Sequence, residues 1–229
     1  MMDNGNKGDT SGMKDKQSCS YYPVSLNISG RKCVVVGGGQ VAWRKATGLL
    51  ECGAIVEVIS PDLCPELDKL VETGKINALR RNYRAGDLQG AWVVIAATDD
   101  NKINQEIFTE ARASGILVNV VDNADSSDFI VPSCLRRGKI TIAVSTAGSS
   151  PALARKIRTS LEKDFGEEYA LLAELVEEVR QEMKHRGTKV NSEGWQQALD
   201  VDLMIDLIKK GEKERAKAVL LDKLKARRE

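Results

Sequence analysis

Val34-Val35-Val36-Gly37-Gly38-Gly39-Gln40-Val41-Ala42 sets the architecture of this chain, because three β-branched apolar residues run without a break into glycines and then into a helical segment. A buried strand that turns over glycines into a helix makes a floor for a pyrophosphate. Gly37 permits the tight turn, Gly39 lets the backbone approach the phosphates with no Cβ in the way, and Ala42 is small enough for the helix to pack on the strand. The helix, expected over 40–52, then aims its amino-terminal amides and positive dipole end at the ligand. A glycine turn of purely structural use has the same spacing, so the surrounding pattern has to arbitrate.

That pattern is an alternation of apolar runs with helical stretches. Strands are expected at 32–36, 55–60, 76–82, 92–97 and 117–121, and helices at 40–52, 65–73 and 101–114. This is the rhythm of a Rossmann-type α/β fold, a doubly wound parallel sheet. Val93-Val94-Ile95-Ala96-Ala97 is apolar at every position, as a strand covered by helices on both faces must be. Ligands in such sheets bind beyond the carboxyl ends of the strands. The strand tails therefore carry the candidate site: Gly37 to Gly39, Ser60-Pro61-Asp62, Thr98-Asp99-Asp100 and Asp122-Asn123.

After Asp128 the pattern changes. Runs 129–135 and 139–145 read as a hairpin joined by Arg136-Arg137-Gly138. Ile140, Ile142 and Val144 alternate with Thr141, Ala143 and Ser145, which leaves an apolar face that needs a cover, such as a second subunit. Ser150-Pro151 then supplies an N-cap followed by proline at the first helical position. The organisation expected is a disordered polar tail over 1–18, a dinucleotide-binding domain over 19–128, a strand–helix dimerisation region over 129–166, and a small all-helical carboxyl-terminal domain over 167–229.

The 229 residues carry 34 Lys and Arg against 33 Asp and Glu, so no bulk field marks a nucleic-acid or membrane-surface binder. Cys19, Cys33, Cys52, Cys64 and Cys134 contain no C-x-x-C pair, which argues against a zinc site or a disulfide framework and fits a reduced cytosol. No apolar stretch approaches the roughly 20 residues that span a bilayer. A cytoplasmic protein is expected, with no nucleic-acid or membrane partner. His185 stands in a charged helical stretch with no partner motif, and no metal site is expected.

Several residues have chemistry to offer at the strand tails. Asp62 either holds the ribose hydroxyls of a dinucleotide from a loop or opens the next helix; NAD and NADP are both compatible with it. Asp122 closes the strand Val118-Asn119-Val120-Val121, where a carboxylate can act as general base or hold a cationic nitrogen, or else serve with Asn123 as a turn residue. Ser145, Thr146, Ser149 and Ser150 form a hydroxyl-rich turn before a helix, suited to carboxylates or phosphates, although capping alone accounts for Ser150. Arg136, Arg137, Lys139, Arg155, Lys156 and Arg158 surround that turn in sequence, either as donors for a polycarboxylate or as a solvated face. Arg44 and Lys45 on the first helix are open to the same two readings, phosphate contact or solvated face.

Taken in order, Gly37 to Lys45, Ala96-Ala97-Thr98-Asp99-Asp100, Asn119-Val120-Val121-Asp122, Phe129-Ile130-Val131-Pro132-Ser133, and Ser145 to Arg155 resemble one family. It is the precorrin-2 dehydrogenase family, whose members also form the amino-terminal module of siroheme synthases. The resemblance implies oxidation of precorrin-2 to sirohydrochlorin with NAD as hydride acceptor; in some members the same site also inserts ferrous iron. It implies a homodimer with intertwined subunits, with Asp122 as the catalytic aspartate. Cofactor contacts would fall on Gly37, Gly39, Gln40 and Val41, on Ser60, Pro61 and Asp62, and on Thr98 and Asp99. Ser145, Thr146, Ser149 and Arg155 would bind the substrate, an octacarboxylate. With an end near residue 229, uroporphyrinogen methylation is expected of a separate methyltransferase. A competing expectation of another class is a non-catalytic NAD-binding regulatory or sensor protein, which shares the glycine turn.

Overall fold

A computed structural model describes residues 21–226. The expected tail over 1–18 lies outside the described residues. The chain divides between Phe129 and Ile130 into two compact units.

The first unit is built on β1 (Lys32–Val36), β2 (Ile55–Ile59), β3 (Asn77–Leu79), β4 (Val93–Ala96) and β5 (Leu117–Val120), with α1 (Gln40–Glu51), α2 (Pro65–Glu72) and α3 (Asn101–Ala113) between them. All pairings are parallel and the strand order is β3-β2-β1-β4-β5. Period-two alternation sends successive side chains of each strand to opposite faces. Cys33, Val35, Val56, Val58, Val93 and Ile95 pack with Ala42, Ala46 and Leu49 of α1 and Leu67 of α2. Val34, Val36, Ile59, Val94, Ala96, Val118 and Val120 pack with Ile107 and Ala111 of α3 on the other face. Both faces are covered, so the strands read as unbroken apolar runs. The expected α/β class and the expected elements of this half are found, with ends trimmed by one to three residues, as helix and strand ends usually are.

The order reverses between β1 and β4, and a cleft at such a switch point is where ligands of open α/β sheets bind. At the opposite, amino edge of the sheet the loop before β4 is tied down by Glu110 of α3. Its carboxylate accepts from the Tyr83 hydroxyl at 2.5 Å and from the Gly86 and Leu88 amides.

The second unit opens with an antiparallel hairpin, β6 (Ser133–Arg137) and β7 (Ile140–Val144). The sequence places Arg136 and Arg137 in the turn and starts the strand at 129. In the structure both arginines are in β6, with Arg137 opposite Ile140, and the loop is the two residues Gly138-Lys139. Gly138 takes φ 54°, the left-handed conformation a two-residue hairpin loop needs. Leu135, paired with Ile142, is buried, and α4 (Pro151–Asp164) packs on both strands, so part of the apolar hairpin face is covered within the chain. Four helices follow: α5 (Glu168–His185), α6 (Ser192–Ala198), α7 (Val201–Lys209) and α8 (Lys213–Lys225). Their core is Leu172, Leu175, Val179, Met204, Leu207, Leu220 and Leu224. The hairpin turn is joined to this bundle, since Arg137 Nε donates to the Phe165 carbonyl at 2.9 Å and Lys139 pairs with Glu177. No helix of the described residues is long and apolar enough to cross a membrane.

Candidate dinucleotide site at the carboxyl edge of the sheet

The three glycines after β1 are each tested by what a Cβ would meet. At Gly37, with φ 128°, a Cβ would lie 2.3 Å from the Ala97 carbonyl oxygen, so only glycine lets β1 pass β4 and turn. At Gly38 it would lie 1.8 Å from the Asp62 carbonyl oxygen and 2.6 Å from Ser60 Oγ. At Gly39 nothing lies within 4 Å. The first two glycines are therefore required by the protein's own packing, while the third opens onto free space where a ligand backbone can approach.

Gly39 is also the N-cap of α1, and it supplies no side-chain acceptor to the first-turn amides. An uncapped helix start leaves donors and the positive end of the dipole available to an anion. Gln40 does not turn inward to serve as a cap, because its Nε2 donates to Glu66 of α2 at 2.7 Å. Val41, in the first turn, is half-buried.

The loop after β2 is seated on this turn. Ser60, buried, donates its hydroxyl to the Asp62 carbonyl at 2.7 Å, and the Cys64 amide donates to the Gly38 carbonyl at 2.8 Å. Pro61 and Asp62 are exposed beside it. Asp62 does not open the next helix: the N-cap of α2 is Cys64, and the acids of its first turn are Glu66 and Asp68. Its carboxylate makes no hydrogen bond or ion pair among the described residues.

After β4, the Thr98 hydroxyl donates to Asn104 Oδ1 at 2.8 Å, and Asn104 Nδ2 returns a bond to the Thr98 carbonyl at 2.9 Å. Asp100 caps α3 by accepting from Lys102 and Ile103. This leaves Asp99 exposed on a loop whose neighbours are fixed.

After β5, Asn119 Nδ2 donates to the Phe129 carbonyl at 2.9 Å, the Val120 amide donates to Ser127 Oγ at 2.9 Å, and the Val118 amide donates to Asp128 Oδ2 at 3.1 Å. Segment 127–129 thus covers the free edge of β5. Between these latches Asp122 adopts φ 59°, a left-handed conformation unusual for a non-glycine residue. Strain of that kind persists where surrounding structure over-determines it, and it is concentrated at functional sites. The Asp122 carboxylate is exposed and makes no hydrogen bond or ion pair among the described residues.

Ser60, Asn104 and Asn119 are the buried polar side chains of the described structure, and all three tie loops at this one edge. The sequence marks Ser60 as a contact and gives Asn104, Asn119 and Ser127 no role of their own. Lys45 of α1 is half-buried; burial, with Arg44 beside it, holds its ammonium below the usual lysine pKa, and the Asp122 charge opposes that shift.

The remaining predicted residues lie in the second unit. The Ser145 hydroxyl accepts from the Ala147 amide, Thr146 Oγ1 accepts from the Ser150 amide, and Ser149 Oγ donates to the Thr146 carbonyl. The turn is therefore self-supporting, with Ala147 at φ 52° and Ser150 capping α4. Of the basic residues, Arg137, Lys139 and Arg158 are bound to Glu167, Glu177 and Glu162. Arg155 and Lys156 are exposed on α4. His185 is exposed in the last turn of α5, and the described residues hold no cluster of His, Cys, Asp and Glu able to bind a metal.

A glycine turn feeding an open helix start, at the switch point of a β3-β2-β1-β4-β5 sheet, defines the chain as a dinucleotide-binding protein of the Rossmann class. Residues 24–133 match the family model described as "Putative NAD(P)-binding", and residues 137–163 match "Sirohaem biosynthesis protein central". The chain is 38% identical over 202 residues to a siroheme synthase of Nitrosococcus oceani, covering 87% of this chain and 43% of that protein. It is 44% identical over 165 residues to a siroheme synthase of Nitrosomonas eutropha, covering 72% of this chain and 35% of that one. The chain spans less than half the length of these curated relatives. Among solved structures it superposes on SirC, precorrin-2 dehydrogenase, with TM-score 0.66 and 25% identity, covering 90% of this chain and all of that one. The chain thus joins a region similar to NAD(P)-binding domains to a segment similar to the central part of sirohaem biosynthesis proteins, and along most of its length it is similar to siroheme synthases and to a precorrin-2 dehydrogenase.

Proposed function

We propose that the protein oxidises precorrin-2 to sirohydrochlorin with NAD as hydride acceptor, in the cytoplasm and as a homodimer. The observation that carries this reading is Asp122: an exposed carboxylate with no hydrogen bond or ion pair among the described residues, held at φ 59° on the same sheet edge as the open start of α1.

The residues fit the cofactor, since a Cβ at position 39 would occupy open space and the first α1 amides have no side-chain acceptor. Gln40, Val41 and the residues after them present those amides to the pyrophosphate, with Gly37 shaping the turn. Ser60 and Pro61 hold the loop that brings Asp62 to the adenosine ribose hydroxyls, which favours NAD over its 2′-phosphorylated form. Thr98 and Asp99 line the passage past β4. When bound, the nicotinamide supplies the hydride acceptor. Asp122 takes the proton that leaves the ring with the hydride, and the latches from Asn119, Ser127 and Asp128 keep its position fixed. Ser145, Thr146, Ser149 and Arg155 receive substrate carboxylates, and 129–166 forms the dimerisation region.

The test is Asp122→Asn. Turnover of precorrin-2 should fall by about 10²–10⁴-fold, the usual worth of a positioned general base, while NAD binding and the melting temperature stay at wild-type values. Turnover at the wild-type rate would remove Asp122 from the reaction.

A further inference from the structure

Lys45 is the one half-buried Lys or Arg of the first unit that makes no hydrogen bond or ion pair among the described residues. The other half-buried cations there are Lys32, paired with Glu57 at 3.0 Å, and Arg81, paired with Asp87 at 2.7 Å. Leaving an ammonium partly desolvated without an anion is unfavourable, and proteins normally supply a counter-charge. Two neighbouring charges act on it: Arg44, which worsens the situation, and Asp122, which relieves it without approaching to ion-pair distance.

The position of Lys45 makes the missing anion specific. It stands in the second turn of α1, about 7–8 Å along the axis from Gln40, and helical side chains tilt back towards the amino end. The ammonium is thereby returned towards the carboxyl edge of the sheet. In α1 it stands between Ala42 and Ala46, at the border of the buried stripe, and the Asp122 charge after β5 acts on it. The pyrophosphate floor at Gly39 is already provided with amides. Asp122 makes no bond that would neutralise Lys45. An anionic group of a ligand whose reacting part lies at Asp122 would come within the influence of the Lys45 charge, as Asp122 itself does.

We propose that Lys45 is a substrate-binding residue, which receives a carboxylate of the tetrapyrrole and so sets the ring over Asp122. This rests on the reading of the site as one for a polycarboxylate tetrapyrrole. An ammonium–carboxylate contact here is charge-assisted and partly shielded from water, which makes it stronger than an exposed pair.

Lys45→Met keeps the length of the side chain and removes the charge. At saturating NAD we expect its KM for precorrin-2 to rise about tenfold, the equivalent of one such contact, with kcat lowered less than the KM is raised and the dissociation constant for NAD within about twofold of wild type. Lys45→Arg should recover most of the affinity. An unchanged KM, or weakened NAD binding in place of weakened substrate binding, overturns the assignment. Fluorescence titration with uroporphyrin, an octacarboxylate that needs no turnover, separates this inference from the reaction itself. If wild type binds uroporphyrin and Lys45→Met binds it about tenfold more weakly, the assignment holds even where precorrin-2 yields no NADH and the dehydrogenase reading fails. Equal binding by both proteins, or none by wild type, overturns it. Thermal melts of both variants show whether the fold is retained.

Discussion

Two helices start at the same edge of one sheet and are built in opposite ways. α3 follows β4 and is capped in the ordinary manner, with Asp100 accepting from Lys102 and Ile103 and with the Thr98–Asn104 pair bracing the loop before it. α1 follows β1 and has Gly39 at the same position, no side-chain cap, and open space where a Cβ would stand. A helix start left without an acceptor forgoes about 0.5–2 kcal/mol of capping. The protein accepts that cost where α1 opens from β1 onto the β1/β4 switch point. α3 satisfies its first amides internally, whereas α1 leaves them open, as the proposed phosphate site requires.

The most damaging way to break this contrast is Gly39→Asp, which turns the start of α1 into a copy of the start of α3. The new carboxylate caps the helix and repels a pyrophosphate, so NAD affinity measured by calorimetry should fall by roughly 100-fold, about 2.7 kcal/mol, with no loss of melting temperature. Retained affinity would show that α1 does not hold the phosphates. Gly37→Ala acts on the fold instead of the ligand. Its Cβ would lie 2.3 Å from the Ala97 carbonyl at φ 128°. Backbone strain of this kind costs about 1–3 kcal/mol, and chemical denaturation should show at least that loss. Asp100→Ala is the mildest. It removes the α3 cap and should cost about 1 kcal/mol of stability while NAD affinity changes by less than about threefold.

The parts of the site that could be read in sequence are those written in backbone chemistry. The apolar run through Val36 and the glycines after it have few alternative explanations, and the tails at Ser60, Thr98 and Asp122 follow once the strands are placed. Asn104, Asn119 and Ser127 were not legible, because a side chain that ties a loop to a strand leaves no period and no spacing rule. The sequence starts the hairpin too early for a related reason. Phe129, Ile130 and Val131 look like strand residues, yet the register is fixed by Gly138, whose left-handed conformation puts both arginines in β6. For Asp62 the sequence left two roles open, and the cap at Cys64 removed one of them. For Lys45 the sequence leaves phosphate contact and a solvated face both open, since it does not show which helical cations lose their water.

The most direct test of the account is an anaerobic incubation of the protein with enzymatically generated precorrin-2 and NAD, following NADH and the sirohydrochlorin spectrum together, with NADP in parallel. The two products should appear in equal amounts, with a clear preference for NAD. Binding of NAD with no oxidation of precorrin-2 would contradict it and would favour a nucleotide sensor built on the same glycine turn.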